Sequence, residues 1–299
     1  MVCAVSRAKR AFFSTMDRVH LRRLRRLEDP RGPRMASVVS TLGVRDLAVE
    51  DERVARIEEQ RREWLASEED LVSGALGVGR EWDAGVTLGS ACAASKDPVP
   101  ASLLFLLVEE FRPRHVLELG TNVGISSGYL AVALDRNPSD GLLYTLEASP
   151  YRLHRAKALH HRLALDNVEY REGLFEDTLG PTLEDMGTVD MAFVDGHHLL
   201  EPTLRYFDLI KAHLAPRAVV VFDDIRISDE MRRAWAAIRR DLRVTLAVDL
   251  YAIGVCVVDA LPRRSRRVMT PPISFALQYR ELGMRDVREQ LEGLISRGG

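Results

Sequence analysis

Cysteine is nearly absent: Cys3, Cys92 and Cys256 are the whole complement of 299 residues, odd in number and far apart. No CxxC pairing exists among them, which argues against a zinc ribbon or a disulfide scaffold and suits a reducing compartment, so the cytosol is expected. Long apolar runs are missing as well. Nothing approaches the ~18 uninterrupted apolar residues of a membrane span. Arg7, Lys9 and Arg10 are followed by no apolar segment of the secretory kind, and Asp17, Glu28 and Asp29 are out of place in a transit peptide. Lysine is scarce too: among 42 basic residues it stands only at positions 9, 96, 157 and 211. The ten basic against three acidic residues of 7–34 therefore partly reflect a bias toward arginine. Without a recognisable reading module, that arm does not make a nucleic-acid protein. Internal repeats and low-complexity tracts are also lacking.

What is present is enough apolar sequence for one good core with a smaller appended region. Residues 7–28 can form a basic helix, closed by Asp29-Pro30-Arg31-Gly32-Pro33. From Leu47 to about Leu71 the residues Leu47, Val54, Ile57, Trp64 and Leu65 recur at roughly helical spacing, and glycines then loosen the chain. After Pro98 and Pro100 short apolar runs alternate with amphipathic stretches, the pattern of an α/β unit with a parallel sheet. The reading is helix 101–111, strand 114–119, helix 124–135, strand 141–147, helix 150–164, strand 168–172 and strand 189–195. Helix 199–213, strand 217–223, helix 228–240 and strands 243–249 and 252–258 follow. These divisions predict an N-terminal helical region over 1–95, serving as a lid or an oligomerisation arm, an α/β domain over 96–260 and a tail over 261–299.

In an open parallel sheet, ligands settle beyond the carboxyl ends of strands, where strand order reverses. The stretch VLELGTNVGISS, residues 116–127, ends the first strand there. Gly120 and Gly124 allow a tight turn and close backbone approach, and the helix that follows offers free N–H groups. The spacing is E-x-G-x-x-x-G rather than G-x-G-x-x-G, so a pyrophosphate is less well provided for. Glu118 would repel a diphosphate but can pair with a ligand ammonium, and Glu147, ending the second strand, can accept both hydroxyls of a ribose.

Together these residues resemble the class I S-adenosylmethionine-dependent methyltransferases over about residues 96–258. The resemblance implies a Rossmann-like, doubly wound, mostly parallel seven-stranded sheet whose last strand is antiparallel. It also implies cofactor contacts from Glu118, Gly120, Thr121, Asn122, Gly124, Ser126 and Glu147, with Leu174 and Phe175 bordering the adenine and Asp195 close by.

The fourth and fifth strands end in MAFVDGHH and VVVFDDI, bringing Asp195, Asp223 and Asp224 to adjoining carboxyl ends. Three converging carboxylates raise one another's pKa unless a cation intervenes, and an all-oxygen set suits Mg²⁺ or another hard divalent ion. Here the resemblance narrows to metal-dependent small-molecule O-methyltransferases of the catechol and macrocin types, with Asp195, Asp223 and Asp224 as metal ligands. Where catechol O-methyltransferases have a lysine base, this chain has His198, whose imidazole can take a hydroxyl proton near neutral pH. The expected reaction is methyl transfer to a hydroxyl of a small molecule, a phenol, catechol or sugar-bearing natural product, by a homodimer. Trp64, Trp82, Tyr206 and Trp235 are candidates for the acceptor wall. Rival readings are metal-free transfer to a carboxyl, amine or peptide, a nucleic-acid methyltransferase, a nicotinamide oxidoreductase, and a non-catalytic nucleotide-binding protein.

Overall fold

The sheet is built from eight strands in the order β3-β2-β1-β4-β5-β7-β6-β8, with the reversal of winding between β1 and β4. The computed structural model describes residues 17–42, 44–72, 83–138, 140–260 and 273–274. The strands are β1 (His115–Leu119), β2 (Leu142–Glu147), β3 (Val168–Glu172), β4 (Val189–Val194), β5 (Leu214–Phe222), β6 (Val244–Leu250), β7 (Ile253–Val258) and β8 (Ile273–Ser274). β7 alone runs antiparallel to its neighbours β5 and β6. The seven-stranded plan expected from the sequence is thus present, with the two-residue β8 added beside β6.

Strand residues alternate between two apolar layers, as the period of two requires. Val116, Leu143, Met191, Phe193, Val219 and Val221 face one layer, and Leu117, Leu119, Leu146, Ala192, Val220 and Phe222 the other. The first layer is roofed by α5 (Pro98–Phe111) and α6 (Ile125–Asp135), against which α1 (Arg31–Thr41) and α3 (Glu52–Leu65) pack. Leu24, Met35 and Ile57 are fully buried in it, so the N-terminal helices share the core of the sheet. α8 (Phe175–Met186), α9 (Leu200–His213) and α10 (Asp229–Ile238) cover the second face. The remaining helices are α2 (Leu47–Glu50), α4 (Leu88–Ala93) and α7 (Pro150–Arg162).

Local chemistry sets the ends. Ser149 Oγ accepts from Arg152 N at 3.2 Å to start α7, and Ser228 Oγ accepts from Met231 N at 3.1 Å to start α10. Proline opens α5, and Arg112 in a left-handed conformation closes it. Three helices differ from the sequence reading: α4, short and within the glycine-loosened stretch, α1 and α8. α1 begins within the proline-rich break, because Pro30 caps it and Pro33 lies in the first turn, where no intrahelical N–H is needed. α8 holds Pro181 inside the helix, which masks its periodicity. Of the basic helix expected over 7–28, the described part is helical from 17 to 25, and the tail beyond Leu261 lies outside the described residues except for β8.

The first and last parts of this body are joined by one buried arginine. Arg31 bonds Asp29 and donates from Nη1 to Asp259 Oδ1 at 2.8 Å. On β7, between β5 and β6, Gly254 faces the Trp235 indole, and a Cβ there would fall 2.6 Å from the ring. Gly254→Ala is therefore expected to cost about 1–3 kcal/mol through overpacking, read as a lower urea midpoint with altered tryptophan fluorescence. An unchanged midpoint would show that the indole can move.

Candidate active site

The carboxyl ends of β1, β2, β4 and β5 are stepped together by backbone bonds. Gly120 N donates to Leu146 O, Asp195 N to Leu119 O, and Asp223 N to Val194 O, each at 3.0 Å. At the first of these ends, Gly120 (φ 101°) and Gly124 (φ 93°) occupy conformations that L side chains rarely adopt. A Cβ on Gly120 would collide with the Asp195 carbonyl oxygen, so the glycine turn and the Asp195 corner are in direct contact. Gly124 is held from behind by His160. Its Nε2–H donates to Gly124 O at 2.9 Å, while Nδ1 accepts from Tyr170 OH at 2.8 Å. Burial pushes this imidazole down to about 4, so it stays neutral.

Beneath the turn, Glu118 is fully buried, and its Oε2 accepts from Thr145 Oγ1 at 2.6 Å. Thr145 in turn contacts the Thr121 hydroxyl at 2.5 Å. No hydrogen bond reaches Glu118 Oε1, though the Ser126 and Ser127 hydroxyls lie near it, and burial, opposed by Thr145 and those hydroxyls, pushes the carboxyl up to about 7. A buried orphan oxygen of this kind invites a cationic donor. Glu147 is oriented by two main-chain donors, Asn122 N at 2.8 Å and Ser149 N at 2.9 Å. Ser126 is buried at the start of α6. The glycine cradle and the orphaned carboxylate oxygen together fit a ligand carrying a ribose and an α-ammonium group, as S-adenosylmethionine does.

Asn122 (φ 49°) joins this turn to the segment before α5, donating from Nδ2 to Ala91 O at 2.8 Å and Ser95 Oγ at 3.2 Å. Its Oδ1 accepts from Arg152, which also pairs with the buried Asp83.

Beyond β4 the chain turns through two consecutive left-handed residues, His197 (φ 60°) and His198 (φ 45°). This sends the two imidazoles apart. Tyr206 OH donates to Glu176 Oε1 at 2.6 Å and so accepts from His197 Nδ1 at 2.5 Å. His197 and Tyr206 both lie edge-on to Phe175, whose ring sits so close that a Cβ on Gly196 would fall 2.5 Å from it. Leu174 is exposed beside this aromatic group. His198 faces the acids, with Nε2 3.5 Å from Asp195 Oδ1 and Nδ1 3.9 Å from Asp224 Oδ2. Burial lowers its pKa, with Asp223 opposing, which favours the neutral, proton-accepting form.

Asp195 and Asp223 are neighbours, as their strands' register dictates. Between them stands Lys96, which the sequence reading passed over. Its Nζ bonds Asp223 and lies 3.3 Å from Asp195 Oδ2. Burial raises Asp195 well above the ordinary carboxylate range, with Lys96 opposing and the other two aspartates adding. Burial alone would lower the Lys96 ammonium, but Asp195, Asp223 and Asp224 outweigh it and hold it above the usual lysine value. Among the described residues no three His, Cys, Asp or Glu are grouped to hold a metal ion. The arrangement does not fit a divalent ion, because an ammonium fills the space where its ligands would converge. The other acceptor-wall candidates turn inward: Trp64, Tyr206 and Trp235 are buried, and Trp82 lies outside the described residues.

Residues 117–225, which span the glycine turn, Glu147, Asp195 and the two aspartates that follow β5, match a family model described as a methyltransferase domain. Over this stretch the chain is similar to a methyltransferase domain. A catechol O-methyltransferase from Niastella koreensis is 32% identical over 135 residues, covering 44% of this chain and 59% of that protein. The chain spans less than two thirds of the curated relatives it matches, 59% of this one and 16% of another. Among solved structures, the O-methyltransferase from Bacillus cereus in complex with S-adenosylhomocysteine aligns with TM-score 0.52 at 23% identity, covering 73% of this chain and 94% of that one. An O-methyltransferase from Streptomyces achromogenes involved in tomaymycin synthesis, bound to S-adenosylmethionine, aligns with TM-score 0.50 at 24% identity over 78% of this chain and 99% of that one. Both share the domain's fold. No helix among the described residues is long and apolar enough to cross a membrane.

Proposed function

We propose that this chain transfers a methyl group from S-adenosylmethionine to a hydroxyl oxygen of a small molecule, a phenol, catechol or sugar-bearing natural product. The observation that carries the reading is the contact between two sites: the glycine cradle over Glu118 abuts the Asp195 corner, which bears a neutral imidazole. Glu118 Oε1 and the carboxylate of Glu147 would hold the cofactor's ammonium and ribose, with Gly120, Thr121, Asn122, Gly124 and Ser126 shaping the bed. Leu174 and Phe175 flank the next pocket. The bound cofactor supplies an electrophilic methyl group on sulfur. His198 accepts the acceptor's hydroxyl proton, and the electron pair so released forms the new carbon–oxygen bond as the methyl–sulfur pair stays on sulfur. Asp195 orients His198, and the packed strand ends fix both against the cradle. The Mg²⁺ expected from the sequence is not part of this reading, given Lys96. The buried, free Cys92 and Cys256 accord with a reducing cytosol.

Calorimetric titration tests the cofactor, with S-adenosylhomocysteine expected to bind and NADH not. Transfer of labelled methyl into metabolite extracts then identifies the acceptor, and His198→Ala is expected to lower turnover by ~10²–10⁴ while leaving cofactor binding intact. Absence of S-adenosylhomocysteine binding would sink the reading.

A further inference from the structure

Lysine is rare in this chain, yet one of its four lysines stands in the most acidic corner of the site. Lys96 follows α4 and Ser95 and directly precedes Asp97, the cap of α5, so its backbone is fixed on both sides. Its side chain is 13% exposed, Asp223 is 2% exposed and Asp195 17%. Asp224 completes the cluster on the same strand end, 3.9 Å from His198. Carboxylates so close and so buried must share a proton or hold a cation among them, and here an ammonium stands between two of them. We propose that Lys96 is that cation, a tethered ammonium that takes the place of a divalent ion and makes methyl transfer by this chain independent of metal.

The choice of lysine is itself informative. A compact ammonium with three donors enters the space between two carboxylates, whereas the planar guanidinium used almost everywhere else in the chain presents a rigid, wider fork. One N–H bonds Asp223 and the ammonium lies 3.3 Å from Asp195, so of its three donors one would serve the acceptor's hydroxyl oxygen beside His198. Charge next to that oxygen favours its deprotonation while the ammonium keeps all its protons. Asn122 ties Ser95 to the cofactor turn, so the ammonium is placed relative to the methyl donor by the same loop that holds the donor. A single N–H contact, unlike a chelating dication, does not ask for vicinal hydroxyls. The acceptor class that follows has one acidic hydroxyl, such as a phenol.

This proposal rests on the methyltransferase reading, and its test separates the two. Binding of Mn²⁺ to the full chain is followed by electron paramagnetic resonance while S-adenosylhomocysteine binding is measured on the same preparations. Wild-type protein is expected to bind no Mn²⁺ at ~1 mM, the weak end of carboxylate sites. Lys96→Ala and Lys96→Met leave Asp195 and Asp223 without their cation, with Asp224 and His198 beside them, and are expected to close on one Mn²⁺, lost again when Asp223→Asn is added. Wild-type protein that binds one Mn²⁺ in an Asp223-dependent way would overturn the role of Lys96, whether or not the lysine variants fold. So would folded Lys96→Ala and Lys96→Met proteins that bind none. Loss of S-adenosylhomocysteine binding in the wild type would instead remove the methyltransferase reading.

Discussion

Gly120→Ala is expected to abolish S-adenosylhomocysteine binding and to lower stability together. The left-handed φ of 101° costs an L residue about 1–2 kcal/mol, before any contact is considered. The added Cβ also strikes the carbonyl oxygen of Asp195, which is backbone and cannot swing aside as a side chain could. Asp195 N is bonded to Leu119 O, so relief of the clash must pull apart the junction of β1 and β4. Overpacking of this kind adds roughly 1–3 kcal/mol. Urea denaturation and calorimetric titration on the same variant give the answer. Wild-type affinity together with a wild-type midpoint would show that the turn does not rest on the Asp195 corner.

The second large effect concerns acid. His160 is held at about 4 when folded against 6.5 when free, so its contribution to stability is fully present above pH 6.5 and is lost as pH falls toward 4. Glu118 is held at about 7 against 4.5, so its contribution is fully present below pH 4.5 and is lost as pH rises through 7. Each amounts to about 3 kcal/mol at full development. The two groups oppose each other over the same interval and nearly cancel there. Removing one unmasks the other. Between pH 4.5 and 6.5, Glu118→Gln is expected to gain stability with rising pH, and His160→Phe to lose it, each by ~2–3 kcal/mol in urea denaturation. If both variants keep the wild-type profile, neither group titrates as burial dictates. An ammonium ligand at Glu118 Oε1 favours the carboxylate, so wild-type affinity for S-adenosylhomocysteine should rise as pH climbs toward 7 and level off above it, and this rise should vanish in Glu118→Gln.

The strand ends were readable because each carries its own punctuation. A run such as Val116–Leu119 stopping at Gly120, or Val219–Phe222 stopping at two aspartates, states both the element and the placement of its last carboxylate. Lys96 was not readable in this way. It lies before the α/β pattern begins, and only the folding of α4 and α5 over the sheet brings it to Asp195 and Asp223. The one signal in the sequence was its rarity among arginines, beside a proline-started helix. The fates of His197 and His198 were hidden for a different reason: alternation assigns opposite directions to neighbours, but the two left-handed residues decide which direction is which. Likewise His160 reads as one of three polar residues ending α7, and nothing local reveals that it supports Gly124 from 36 positions away.

The bond from Arg31 to Asp259 has a bearing on how the chain reaches this state. Its partners are separated by 228 positions, and Met35 and Ile57 wait on surfaces supplied by α5, α6 and the sheet. During synthesis the early helices must remain without their packing surface until the strands have been made. Contacts of such long range slow folding and prolong the exposure of apolar faces. The Arg31–Asp259 bond is thus among the last contacts that the growing chain can close.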